Sequence, residues 1–184
     1  MTVVQPWYRA VEPFDSASGE RWDRYVEWSG LNQLKELVSF DGCLCPCAVK
    51  EMEARDWDYS VQEDCVLFFL TDLDYLLRRI AGLGPVNILA AVRNPESECR
   101  NAFGDARFEF SGYDIVDVNA DISALTNCGG FPEAFRNEEL SEVGLISEFD
   151  RAIDIRRSLR EHYPDEPHAE CDVWALWKMR RDHE

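Results

Sequence analysis

Residues 171–178, Cys-Asp-Val-Trp-Ala-Leu-Trp-Lys, carry apolar side chains at odd and even positions alike, through Val173, Trp174, Ala175, Leu176 and Trp177. Alternate residues of a strand face opposite sides, so a strand apolar on both sides has to be buried on both. This segment therefore belongs inside a sheet, and the rest of the chain must supply its neighbours and its cover.

Several segments fit that demand. Val86 to Val92 is short, apolar and bounded by Asn94-Pro95, which predicts a second buried strand. Arg107 to Gly112 alternates, with Phe108 and Phe110 on one face, and the apolar phase shifts after Gly112, where a bulge is expected. A turn over Asp117 to Ala120 would lead into a third strand, Asp121 to Cys128, closing an antiparallel hairpin. Helices are expected around them. Leu73, Leu76, Leu77 and Ile80 follow helical spacing behind Thr71-Asp72-Leu73-Asp74, which resembles a capping box. Ser147-Glu148-Phe149-Asp150 opens another helix, with Phe149, Ala152, Ile153, Ile155 and Leu159 on or near one face and Pro164 beyond its end. Short helices are expected at Pro132 and Asn137. Between Trp22 and Phe40, Leu31, Leu34 and Val38 have helical spacing, while Arg24 to Trp28 also reads as a short strand.

Strands grouped between helices predict an α+β fold, with one mainly antiparallel sheet packed against helices on one face, over a doubly wound α/β fold. Residues 1–20 mix Pro6, Pro13, Asp15, Ser16, Ser18 and Gly19 and read as an extended arm, pinned by Trp7, Tyr8 and Phe14. Residues 21–184 then form a single α+β domain. Met1 to Tyr8 lack a basic region and an apolar core, so no secretory signal is expected there. The longest apolar run, Cys65 to Leu70, falls short of the roughly 18–20 residues that span a bilayer.

Charge narrows the classes of partner. The chain has 36 acidic and 19 basic residues, a formal net charge of −17. The excess is spread along its length, net −5 over 1–60, −5 over 61–120 and −7 over 121–184. Such a surface repels nucleic-acid phosphates and anionic lipid, and attracts basic proteins. Solubility alone is the plainer account of it. Seven cysteines, an odd count in a chain large enough to build a core, suggest reduced thiols in a cytoplasm.

Candidate chemistry is sparse. Cys43, Cys45 and Cys47 bring three thiols within five residues as weak metal candidates, although structural zinc takes four ligands and an extended chain would send alternate thiols apart. Cys128 precedes Gly129-Gly130, whose amides suit an oxyanion, and His168 is the candidate base; the alternative is a buried cysteine before a glycine turn. Acid pairs such as Asp72 with Asp74 and Asp114 with Asp117 do not converge at regular spacing. Phosphate-binding, zinc-protease and serine-hydrolase motifs are missing. No cofactor is implied.

Asp56-Trp57-Asp58-Tyr59 sets aromatic rings between carboxylates in an expected loop, and Trp, Tyr and Arg dominate interface hot spots. These observations lead to an acidic cytoplasmic protein-binding module, of the immunity-protein or antitoxin type, that inhibits a basic partner protein. Two further readings stand beside it: an enzyme with a carboxylate–metal or Cys128-based site, and a mimic of nucleic acid. Direct nucleic-acid binding and membrane association are not expected.

Overall fold

The computed structural model describes residues 5–62, 66–117, 119, 121–126 and 130–181. Along the chain run β1 (Trp7–Val11), β2 (Phe14–Asp15), α1 (Glu20–Ser29), β3 (Glu36–Leu37), α2 (Leu73–Arg79), β4 (Asn87–Arg93), β5 (Phe108–Asp117), β6 (Ile122–Ser123), α3 (Phe149–His162) and β7 (Cys171–Met179). The main sheet has the order β1-β4-β7-β5-β6, and every pairing in it is antiparallel. β2 and β3 form a separate two-stranded pair. This is an α+β fold.

β7 occupies the centre of the sheet, as its two apolar faces require. Asp114 pairs with Trp174 and Tyr113 with Ala175, so these neighbouring pairs face opposite ways. On one side Trp174 meets Phe40 and Phe69, with ring centroids 5.5 and 5.0 Å apart. On the other, Tyr113 meets Phe149 of α3 at 5.7 Å. Both faces are thus covered, one by α3 and one by irregular chain, where one covered face was expected. A smaller apolar cluster joins Leu76 and Ile80, at the end of the molecule around α2, to Ala10, Val49 and Leu70.

Local chemistry explains most boundaries. Asp72 Oδ1 accepts the Tyr75 amide at 2.8 Å and caps α2. α1 ends at Gly30, whose φ of 68° is the left-handed conformation glycine adopts without strain. It buries Trp22, Tyr25 and Ser29. Leu31, Leu34 and Val38, which carry a helical spacing, instead follow that stop and lie in turns and beside β3. α3 ends at Tyr163, one residue before Pro164. The phase shift at Gly112 is a register break between Phe110 and Gly112.

Three expectations change. Residues 7–11, read as part of an arm, are the first strand of the sheet, paired along their length with β4. Of the expected strand 121–128, whose last two residues lie outside the described ones, only Ile122–Ser123 is strand among the described residues; the chain then turns, and Thr126 Oγ1 bonds Asp41. The helix expected at Pro132 is a turn, and that at Asn137 a single 3-10 turn, Asn137–Glu139.

Candidate functional site

The 3-10 turn Ala54–Tyr59 contains the acidic and aromatic group singled out in the sequence. Asp56 is fully buried within it. Its carboxylate accepts the Glu53 amide at 2.8 Å, the Tyr75 hydroxyl at 2.5 Å, and Arg79 Nε and Nη2 at 3.1 and 3.3 Å. Burial by itself would raise its pKa, but the bonds from Arg79, the Glu53 amide and Tyr75 outweigh that and bring it down to about 2. Arg79 also donates to the Glu51 carbonyl at 2.8 Å. Tyr59 stacks on Tyr75 with centroids 4.1 Å apart and planes at 13°.

Asp56 is therefore not a surface contact: it clamps the turn onto α2. The clamp holds Trp57 in the open, 53% exposed, with Met52 38% exposed. Asp58 is exposed and Tyr59 half-buried. Among the described residues Glu51 and Asp58 have no ion pair, while Glu53 is shared by Arg55 and Arg79. The arrangement presents apolar side chains on a fixed backbone among free carboxylates.

The three close thiols separate. Cys43 is exposed, Cys45 is buried and lies 3.7 Å from the Leu37 carbonyl, and Cys47 is half-buried. Burial, then Asp41 and Asp114, push the Cys45 thiol up, so it stays protonated. Among the described residues no three His, Cys, Asp or Glu side chains are placed to hold a metal ion. Residues 42–44 form a turn and Cys45 lies in a bend, so the three thiols sit in surroundings of different burial. His168 is buried with its ring 4.9 Å from that of Phe131 and neither ring nitrogen bonded. Burial lowers its pKa. Cys128, its suggested partner, lies outside the described residues.

Sequence reasoning missed a buried polar group where β1, β5 and the 39–45 turns meet. Arg9 is 4% exposed and its Nη2 reaches Asp121 Oδ2 at 3.2 Å. Asp114 has its oxygens occupied by Ser39 Oγ at 2.6 Å, Ser123 Oγ at 2.5 Å and the Phe40 and Ile115 amides. Asp41 accepts the Cys43 and Leu44 amides, the Ser123 amide and Thr126 Oγ1. These carboxylates pin loops to the sheet, and among the described residues Asp121 Oδ1 has no hydrogen-bond partner. The one sequence signal was Asp114 and Asp117 standing among Tyr113, Ile115 and Val116 in the buried second half of β5.

A cleft of about 580 Å³ lies along residues 92–102. At its base the Tyr113 hydroxyl donates to Glu98 at 2.7 Å and stands 3.9 Å from Cys99 Sγ. Burial raises the Cys99 pKa, so this thiol is not an activated nucleophile. Among the described residues no helix is long and apolar enough to cross a membrane. Comparison with known protein families, with characterised proteins and with solved structures finds no match to this chain.

Proposed function

We propose that this chain is an acidic protein-binding module that recognises a basic partner protein, as an inhibitor of the immunity-protein or antitoxin type, and that Trp57 and Met52 are its anchors. The observation that carries the reading is the clamp: a buried, fully bonded Asp56 fixes a turn whose own neighbours are exposed apolar side chains among unpaired carboxylates. A surface tryptophan on a preordered backbone loses little entropy on binding, which is what an interface hot spot requires. Most cations of the surface are already paired with carboxylates, including Arg24, Lys35, Lys50, Arg107 and Arg157, so the remaining acids are uncompensated and would steer a basic protein. The free cysteines among the described residues fit a reducing cytoplasm as its location.

The test is capture from native lysate with tagged wild type and Trp57→Ala, washed at low and then moderate salt. The expected result is one stoichiometric basic protein, released by salt and retained about ten-fold less by the variant. Recovery of bait alone, or equal retention by both baits, would discard the reading. Displacement of the partner by added duplex DNA would move it to mimicry of nucleic acid.

A further inference from the structure

A second aromatic surface lies far along the chain from the Ala54–Tyr59 turn. Trp28, in the last turn of α1, is 68% exposed, the highest value among the exposed large apolar side chains. It forms one wall of a groove of about 300 Å³ whose floor and far wall include Leu31, Leu125, Phe131 and Phe135. Those four are 2–7% exposed, so the groove has a firm apolar floor. Asn137 Nδ2 donates to the Ser29 carbonyl at 3.2 Å and ties the wall from 131–137 to the end of α1.

Charge decides what fits. Glu27, Glu133 and Glu138 are exposed, each is the chain neighbour of a lining residue, and none has an ion pair among the described residues. The carbonyl end of α1 adds negative potential beside Trp28. Among the described lining residues Arg136 is the single cation, and its guanidinium suits a main-chain carbonyl of an incoming segment. Net negative charge around an apolar slot excludes a second copy of this acidic chain and favours a cationic peptide.

We infer that the Trp28 groove takes one apolar side chain from an extended basic segment of the partner, with an adjacent lysine or arginine of that segment stacked on the Trp28 ring. The inference rests on the basic-partner reading above and adds a second anchor to it. The volume takes one apolar side chain and leaves room for the aliphatic stem of a neighbouring cationic residue, and a cation over an indole is the strongest of the cation–π pairings.

The probe is the peptide acetyl-Lys-Arg-Leu-Lys-Arg-amide, titrated into 15N-labelled full-length protein while the indole N–H signals are followed, with Trp28 assigned from Trp28→Phe. The Trp28 signal is expected to shift saturably, with affinity falling as salt rises. Replacing the peptide's leucine by serine should weaken binding about ten-fold, since the groove then gains no apolar burial. Trp28→Ala, at so exposed a position, should keep the wild-type melting temperature and lose the binding. A Trp28 signal that stays fixed, equal shifts with the two peptides, or undiminished binding by Trp28→Ala would each overturn the groove. A captured partner that requires Trp57 and ignores Trp28→Ala overturns the groove alone and leaves the basic-partner reading standing. Saturable, leucine-dependent binding at Trp28 with no partner retained from lysate supports the groove and removes the larger reading.

Discussion

Asp56 and Trp57 are consecutive residues with opposite fates, and the difference follows from partners that are distant in the chain. Tyr75 and Arg79, which bury and hold Asp56, lie 19 and 23 positions away. Local sequence shows a carboxylate beside a ring and cannot show which of the two faces inward. Arg9 makes the same point, since Asp121 stands 112 positions from it. Asp56→Asn should lower stability by about 3 kcal/mol in urea unfolding, because it removes the charge that Arg79 pairs with and weakens two other bonds; a loss under about 1 kcal/mol would mean the clamp is slack. Trp57→Ala should stay within about 0.5 kcal/mol of wild type, as surface changes do. The pair separates the residue that positions the turn from the residue proposed as an anchor for a partner.

Among the elements, those defined by their own periodicity were legible and those defined by a neighbour were not. β7 is apolar on both faces through Trp174 to Trp177, and α3 repeats Ala152, Ile155 and Leu159 inward, so sequence alone locates both. β1 escaped because Arg9 stands in the middle of Trp7–Val11, and a charge usually marks a solvent face. β6 was overextended because Leu125 and Thr126 look strand-like, whereas Thr126 lies in a turn and its hydroxyl bonds Asp41. Two glycines test the account. A Cβ at Gly112 would stand 2.7 Å from Leu145 Cβ and 2.9 Å from the Ile146 carbonyl, at a φ of 139°. Gly112→Ala should therefore cost about 3 kcal/mol, from clash and strain together. At Gly30 a Cβ meets nothing within 4 Å, so Gly30→Ala should cost about 1 kcal/mol and Gly30→Asn less, since asparagine tolerates the left-handed region. Equal losses at the two positions, read from thermal melts, would refute the close approach at Gly112.

For the molecule as a whole, the buried carboxylates make stability depend on pH in opposing senses. Burial, opposed by Arg9 and reinforced by Asp41 and Asp114, raises Asp121 to about 6. Between pH 4 and 6 the folded state then holds a proton that the unfolded chain has released, so the contribution of Asp121 falls as pH rises through that window. Asp56, held at about 2, works the other way: its contribution is complete above its ordinary pKa of 3.8 and is lost as pH falls through 2. His168, lowered by burial, gives up stability as pH drops below 6.5. The Asp121 share is isolated by comparison: wild type should lose about 2–3 kcal/mol relative to Asp121→Asn between pH 4 and 6, and parallel pH profiles for the two proteins would exclude it. The acidic surface belongs to this scale as well, and an association rate with the partner that did not slow as salt rose would rule out steering by it. The position of β7 has a consequence for synthesis. A nascent chain complete only to Glu170 already contains β1 beside β4 and β5 beside β6, but the strand that joins the two halves has not yet been made. The sheet therefore cannot close before Cys171–Met179 has left the ribosome. Until Cys171–Met179 is free to slot between β4 and β5, the nascent protein must wait with both halves open.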